Sequence, residues 1–174
     1  MRSFFSSFIF FFTIGVLGAK DYEVTVYTRH QGLPQDYVYT LLQDKKNYLW
    51  IGTGNGLTRF DGKNFLTFKS NNGLSEDFIT SSALLPDGKH LFSHFNGEVS
   101  SLLNGKFSVF NQVSVGKSIN KIFYESKGKV WIGSRAGQLT CVDLKTQKEK
   151  KWIIGEYESV QYIDTTLDGT LLVG

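Results

Sequence analysis

Between residues 38 and 69 the chain alternates short apolar segments with polar punctuation: Val38 to Gln43, Tyr48 to Thr53, Leu57 to Asp61 and Phe65 to Lys69. Each segment is too short for an ordinary helix, and each is bounded by Gly, Asn or Asp in the combinations that accept positive φ. The pattern predicts four short antiparallel strands joined by tight turns. The dipeptides Asn55-Gly56, Asp61-Gly62, Asp87-Gly88, Asn96-Gly97, Asn104-Gly105 and Asp168-Gly169 fall where such turns would sit. After residue 20, runs of about 10 to 15 residues with helical apolar spacing are absent, which excludes helical solenoids.

The pattern repeats. Gly32-Leu33-Pro34-Gln35-Asp36-Tyr37-Val38 aligns with Gly73-Leu74-Ser75-Glu76-Asp77-Phe78-Ile79 at an offset of 41 residues. Tyr48-Leu49-Trp50-Ile51-Gly52-Thr53 recurs as Lys129-Val130-Trp131-Ile132-Gly133-Ser134 and again as Thr170-Leu171-Leu172-Val173-Gly174. His90-Leu91-Phe92-Ser93 reads as a weakened copy, which places the expected anchors Trp50, Phe92, Trp131 and Leu172 at spacings of 42, 39 and 41. Four strands in a period of about 40 residues is a β-propeller blade.

The expected fold class is therefore all-β: a β-propeller of four-stranded blades, incomplete, with one leading strand, three blades and half of a fourth. The blades are expected at about residues 32–72, 73–113 and 114–154, and the half-blade at 155–174. Tyr22 to Thr28 superposes on Asn64 to Lys69 and reads as the leading strand, the fourth strand of a blade that a longer chain would complete.

Composition agrees with strands and excludes several functions. Fifteen Phe, eight Tyr and three Trp accompany eighteen Gly and two Pro, a mixture that favours sheets over helical bundles. A net charge of +3 dispersed along the chain is too weak to imply nucleic acid as a partner. The single cysteine, Cys141, rules out an intramolecular disulfide and a cysteine-based metal centre. Residues 1–19 read as a secretory signal peptide: Arg2, an uncharged apolar run from Phe4 to Leu17, then Gly18 and Ala19. The expected location is exported, periplasmic or secreted.

Gly32-Leu33-Pro34, Val38, Leu41, Gln43-Asp44, Leu49-Trp50-Ile51-Gly52-Thr53, Asn55-Gly56-Leu57, Arg59-Phe60-Asp61-Gly62 and Phe65 together resemble the two-component regulator propeller repeat. The third repeat keeps Val130-Trp131-Ile132-Gly133-Ser134 and Gly137. The second loses the Trp and the Gly. The resemblance implies the N-terminal part of a periplasmic ligand-sensing propeller of a membrane sensor histidine kinase, with signal transduction as its function. It further implies an extracellular ligand, a homodimer in the full-length receptor, and membrane attachment only through downstream segments; polar groups beside Tyr37 and Phe78 would suit an oligosaccharide as that ligand. A secreted stand-alone interaction module is the alternative, and a propeller lyase or hydrolase a third.

No catalytic motif, phosphate-cradling loop or calcium loop is legible, and no cofactor is expected. His90 and His94 invite a metal reading, but residues four apart on a strand stand about 13 Å from each other. Asp44, Asp87 and Asp168 read as turn-stabilising carboxylates, and Trp50 and Trp131 as packing between sheets. Propeller topology makes the loops from fourth to first strands and from second to third strands the ligand-binding rim. There the candidates are Arg29, His30, Gln35, Asp36, Tyr37, Asn55, Asn71, Glu76, Asp77, Phe78, Asn96 and Arg135.

Overall fold

The computed structural model describes residues 23–110, 118–155 and 158–174. The expected signal peptide lies outside the described residues. The first sheet contains β1 (Val38–Gln43), β2 (Leu49–Thr53), β3 (Gly56–Phe60) and β4 (Phe65–Phe68) in chain order. The second contains β5 (Ile79–Leu84), β6 (His90–His94), β7 (Val99–Leu103) and β8 (Lys106–Val109). The third contains β9 (Ile119–Glu125), β10 (Lys129–Ser134), β11 (Gln138–Asp143) and β12 (Glu149–Ile153), and β13 (Ile163–Thr165) pairs with β14 (Leu171–Val173). All pairs are antiparallel. The first strands β1, β5, β9 and β13 neighbour one another in succession, so they line the inside of the arc. The three four-stranded sheets are blades, and with the two-stranded sheet they make an open, incomplete propeller.

The leading segment differs from expectation. Glu23 to Thr28 carries no strand ladder, because a strand exists only beside a partner and none lies there among the described residues. Val24 and Val26 are exposed. Tyr27 is the tether, with its ring 5.1 Å from Phe60 and 5.5 Å from Phe65.

The turns between first and second strands repeat one design at Asp44–Tyr48, Leu85–Lys89, Glu125–Lys129 and Thr166–Thr170. In each, the fourth residue's N–H donates to the first residue's carbonyl at 2.9–3.0 Å. That fourth residue has positive φ: Asn47 64°, Gly88 85°, Gly128 84° and Gly169 85°. Only Gly or Asn meets this demand at low cost.

These turns correct the expected register. Counting six residues from the first turn position gives Trp50, Leu91, Trp131 and Leu172, at spacings of 41, 40 and 41. Leu91, and not Phe92, is the counterpart of Trp50. Likewise Asp44 aligns with Leu85, Glu125 and Thr166, whereas Asp87 and Asp168 occupy the third turn position. Asp87 accepts from Lys89 N and Asp168 from Thr170 N, each at 3.0 Å, so all three aspartates do bond their own turns, from two different positions. Asp44 also accepts from Trp50 Nε1 at 2.9 Å, and Glu125 from Trp131 Nε1 at 2.8 Å. The carboxylate and the indole thus form a linked pair in blades 1 and 3, and blade 2 replaces both with leucine.

Each blade presents one face to the next. Trp50, Leu57 and Phe68 meet Phe92, Leu102 and Phe107 between blades 1 and 2. Leu91 and Val99 meet Ile122, Val130 and Val142 between blades 2 and 3. Phe123, Trp131 and Leu139 meet Val160, Ile163 and Leu171 beyond. Gly52 and Gly133 let the sheets touch. A Cβ on Gly52 would stand 2.7 Å from Ile79 Cγ2, and one on Gly133 would collide with Val160 Cγ1.

Candidate functional site

The fourth-to-first and second-to-third connections meet at one end of the sheets, the upper rim. Two short 3-10 turns, Arg29–Gln31 and Ser70–Asn72, open the first two of these loops. Asp36 Oδ1 accepts from Arg29 N and Asp77 Oδ1 from Ser70 N, both at 2.7 Å, so the repeat offset of 41 carries one loop-closing device. The Arg29 backbone N–H holds the Asp36 carboxyl below its ordinary range, and the Arg29 guanidinium adds to the effect against the small cost of desolvation. Arg29 Nε donates to Asp36 Oδ2 at 2.9 Å, and Lys69 Nζ lies 4.0 Å from Asp77 Oδ2. Arg29, Asp36 and Asp77 are thereby engaged within their own loops.

Asn55 braces neighbouring segments, with Nδ2 donating to Pro34 O at 3.4 Å and Oδ1 accepting from Lys69 Nζ at 2.8 Å. Asn96 is held in its turn: its N–H donates to Glu76 Oε2 at 2.7 Å, and its Nδ2 to Glu98 Oε2 at 3.0 Å. His30 and Asn71 are exposed at equivalent positions of the two 3-10 turns. Gln35 Oε1 is buried without a hydrogen-bond partner.

A row of rings crosses this rim. Tyr37 and Tyr39 stand 4.8 Å apart between centroids, Tyr39 and Phe78 4.8 Å, and Phe78 and Phe95 5.1 Å with planes 18° apart. The Arg135 guanidinium caps the row, 5.4 Å from the Phe95 centroid. Asn120 Oδ1 steadies it by accepting from Arg135 Nε at 3.2 Å. Tyr37, Tyr39 and Phe95 remain 64%, 42% and 39% exposed. Of the residues expected from sequence, Tyr37, Phe78 and Arg135 come together in this row.

Tyr39 and Phe95 complete the row and were not expected. A bulge explains Tyr39. The β1–β2 register skips it between Val38 and Thr40, as β5–β6 skips Thr80 and β9–β10 skips Asn120. A bulge re-aims one side chain out of the pleat, and here it turns a tyrosine onto the rim. Phe95 directly precedes the Asn96-Gly97 turn, and that adjacency was its signal.

Residues 32–55 match the family model described as two component regulator propeller. No curated protein sequence matches the chain. Among solved structures, the extracellular domain assigned to the hybrid two component system BT3049 from B. thetaiotaomicron is similar at a TM-score of 0.74 and 16% identity, over 87% of this chain and 22% of that one. The extracellular domain assigned to BT4673 of the same organism reaches a TM-score of 0.69 at 23% identity, over 80% of this chain and 20% of that one. The computationally designed protein Ika4 matches at a TM-score of 0.57 and 16% identity, over 79% of this chain and 90% of that one. The chain spans about a fifth of the length of the two B. thetaiotaomicron domains it matches.

Proposed function

From a chain that carries a two-component regulator propeller repeat and shares the fold of those extracellular domains, we infer that it forms part of an exported sensing propeller that binds its ligand at the upper rim. The aromatic row carries this reading. Rings spaced about 5 Å apart and left partly exposed are an unusual surface for a loop rim, and their faces offer an apolar platform beside the Arg135 cation. An oligosaccharide is the class that fits, with sugar C–H faces laid on Tyr37, Tyr39 and Phe95 and hydroxyls or a uronate taken by Arg135, Asn71 and His30. Arg29, Asp36, Asp77 and Asn96 shape the loops that hold the platform. Binding and signal transmission, and not catalysis, are the proposed role of the chain.

The test is titration of the intact protein with neutral and uronate-containing oligosaccharides. Tyr39→Ala and Phe95→Ala are expected to weaken binding about tenfold each while leaving the unfolding midpoint close to that of the parent. Unchanged affinity in both variants would place the ligand elsewhere.

A further inference from the structure

At the opposite end of the sheets, the lower rim, blades 1 and 2 part around a cleft of about 500 Å³. Trp50, Leu66 and Phe68 form one wall, and His90, Leu102 and Phe107 form the other. Both blades are complete on either side of it, so the cleft belongs to the repeat stack itself. Its volume lies in the range of sites for small organic ligands.

The depth of the cleft carries an unmet demand. His90 is 9% exposed, and its Nε2 has no hydrogen-bond partner. A buried polar nitrogen left bare is costly. Nε2 stands 3.7 Å from Asp44 Oδ2, too far for a direct hydrogen bond, and the Asp44 side chain is 7% exposed. Asp44 Oδ1 already accepts from Lys46 N and Tyr48 N, and Oδ2 from Trp50 Nε1. One lone pair on Oδ2 and one ring nitrogen are left over. Burial pushes the His90 imidazole below its ordinary range, against the opposing pull of Asp44 and of the Leu102 and Gly88 carbonyls. One hydroxyl set between the two groups would donate to Asp44 Oδ2 and accept from His90 Nε2–H, satisfying both.

The remainder of the cleft is mainly apolar and aromatic, and its polar lining includes Lys45, Lys46, Arg59, Asp87 and Asn104. Lys46 and Arg59 have no ion-pair partner among the described residues, and Arg59 lies over the Tyr48 ring at 4.4 Å. A sugar would bring several hydroxyls where the depth can satisfy one. A planar ring with a single hydroxyl at one end and a carboxylate at the other meets the Asp44–His90 pair and the two cations, while Asp87 is paired with Lys89 at 3.8 Å.

We propose that this cleft binds a small hydroxylated aromatic carboxylic acid. The ring lies between Trp50, Phe68 and Phe107, the phenolic hydroxyl sits between His90 Nε2 and Asp44 Oδ2, and the carboxylate faces Lys46 and Arg59. The site is separate from the upper rim and stands whether or not that rim binds glycans.

Titration calorimetry on the intact protein with three probes tests this. They are 4-hydroxycinnamate, cinnamate without the hydroxyl, and 4-hydroxycinnamyl alcohol without the carboxylate. The parent protein is expected to prefer 4-hydroxycinnamate over both. His90→Phe keeps the ring stacking and removes Nε2, so it should cut affinity for 4-hydroxycinnamate about tenfold and leave cinnamate unchanged. Lys46→Ser, on an exposed turn, should weaken both acids several-fold and spare the alcohol, and it serves if His90→Phe does not fold. No binding of any probe at millimolar concentration, equal affinity for all three, or no loss in either variant overturns the proposal, leaving a bridging water as the occupant.

Discussion

The junction between blades 1 and 2 and the junction between blades 2 and 3 share one topology and are packed from different materials. At the first, Trp50 faces His90, with centroids 5.4 Å apart, within a cluster that also holds Phe68, Phe92 and Phe107. At the second, Leu91 and Val130 occupy the matching positions, surrounded almost wholly by branched aliphatic side chains. Leu85 stands there where blade 1 has Asp44. Branched aliphatics interdigitate and close the gap. Flat rings whose edges need hydrogen-bond partners do not, and the lower cleft follows. The same strand order thus carries an aliphatic joint at one junction and, at the other, a ligand-sized opening lined by Asp44, Trp50 and His90.

The largest expected contrast comes from truncation on each side of this comparison. Leu91→Ala removes a fully buried side chain from the sealed joint and should cost about 3 kcal/mol, whereas Phe107→Ala, half-buried at the edge of an existing opening, should cost about 1 kcal/mol. Urea unfolding of both variants measures this. Equal costs would mean that the cleft is as well packed as the joint beside it.

Acid should act on the first junction before the second. The face that blade 2 turns toward blade 1 carries His90 and His94, and His94 is fully buried with Nε2 2.8 Å from Ser100 Oγ. Burial pushes His94 down to about 4, against the pull of the Phe78 and Glu76 carbonyls and the Asp77 charge. The unfolded chain therefore binds a proton near pH 6.5 that the folded chain refuses until near pH 4. The stability contributed by neutral His94 is complete above that window, declines through it, and amounts to on the order of 3 kcal/mol. Amide exchange, corrected for intrinsic rates, should show β5 and β6 losing protection as pH falls from 6.5 to 4 ahead of β10 and β11. His94→Gln should flatten the difference.

The smallest contrast lies at the level where the sheets touch. Gly52→Ala would press a methyl group against Thr40 and Ile79, at a cost of about 1–2 kcal/mol. At the matching position of blade 2, Ser93 is buried and its Oγ donates to Ser81 O at 3.3 Å, so Ser93→Ala should cost under about 1 kcal/mol. Melting midpoints are enough to rank the two.

The period and the hairpin chemistry were legible because both are local: Asn or Gly at a positive-φ turn position announces itself within five residues. Register was harder. Phe92 looked like the counterpart of Trp50 by size, whereas counting from the turn gives Leu91. The leading strand could not be judged from its own residues, since a ladder is a property of two segments. On the upper rim, loop topology found Tyr37, Phe78 and Arg135, but simple alternation hid Tyr39 behind a bulge. Asp36 and Asp77 looked available to a ligand until their loops were seen to use them. The lower cleft needed Asp44 and His90 brought together across 46 residues of chain. The repeated spacing of Asp44 to Trp50 and Glu125 to Trp131 was its one visible trace.

In β2 and again in β10, an indole and a glycine share one face two residues apart, about 7 Å along the strand. The glycine is a point of contact between sheets and the indole is a spacer, so the pair has the geometry of a fulcrum with a short arm. The opposite arm ends among Tyr37, Tyr39 and Phe78. Two hydrogen bonds span the same pair of blades, Thr40 Oγ1 with Ser82 Oγ at 2.6 Å and Lys45 Nζ donating to Pro86 O at 2.8 Å, so the contact at Gly52 is clasped as well as close.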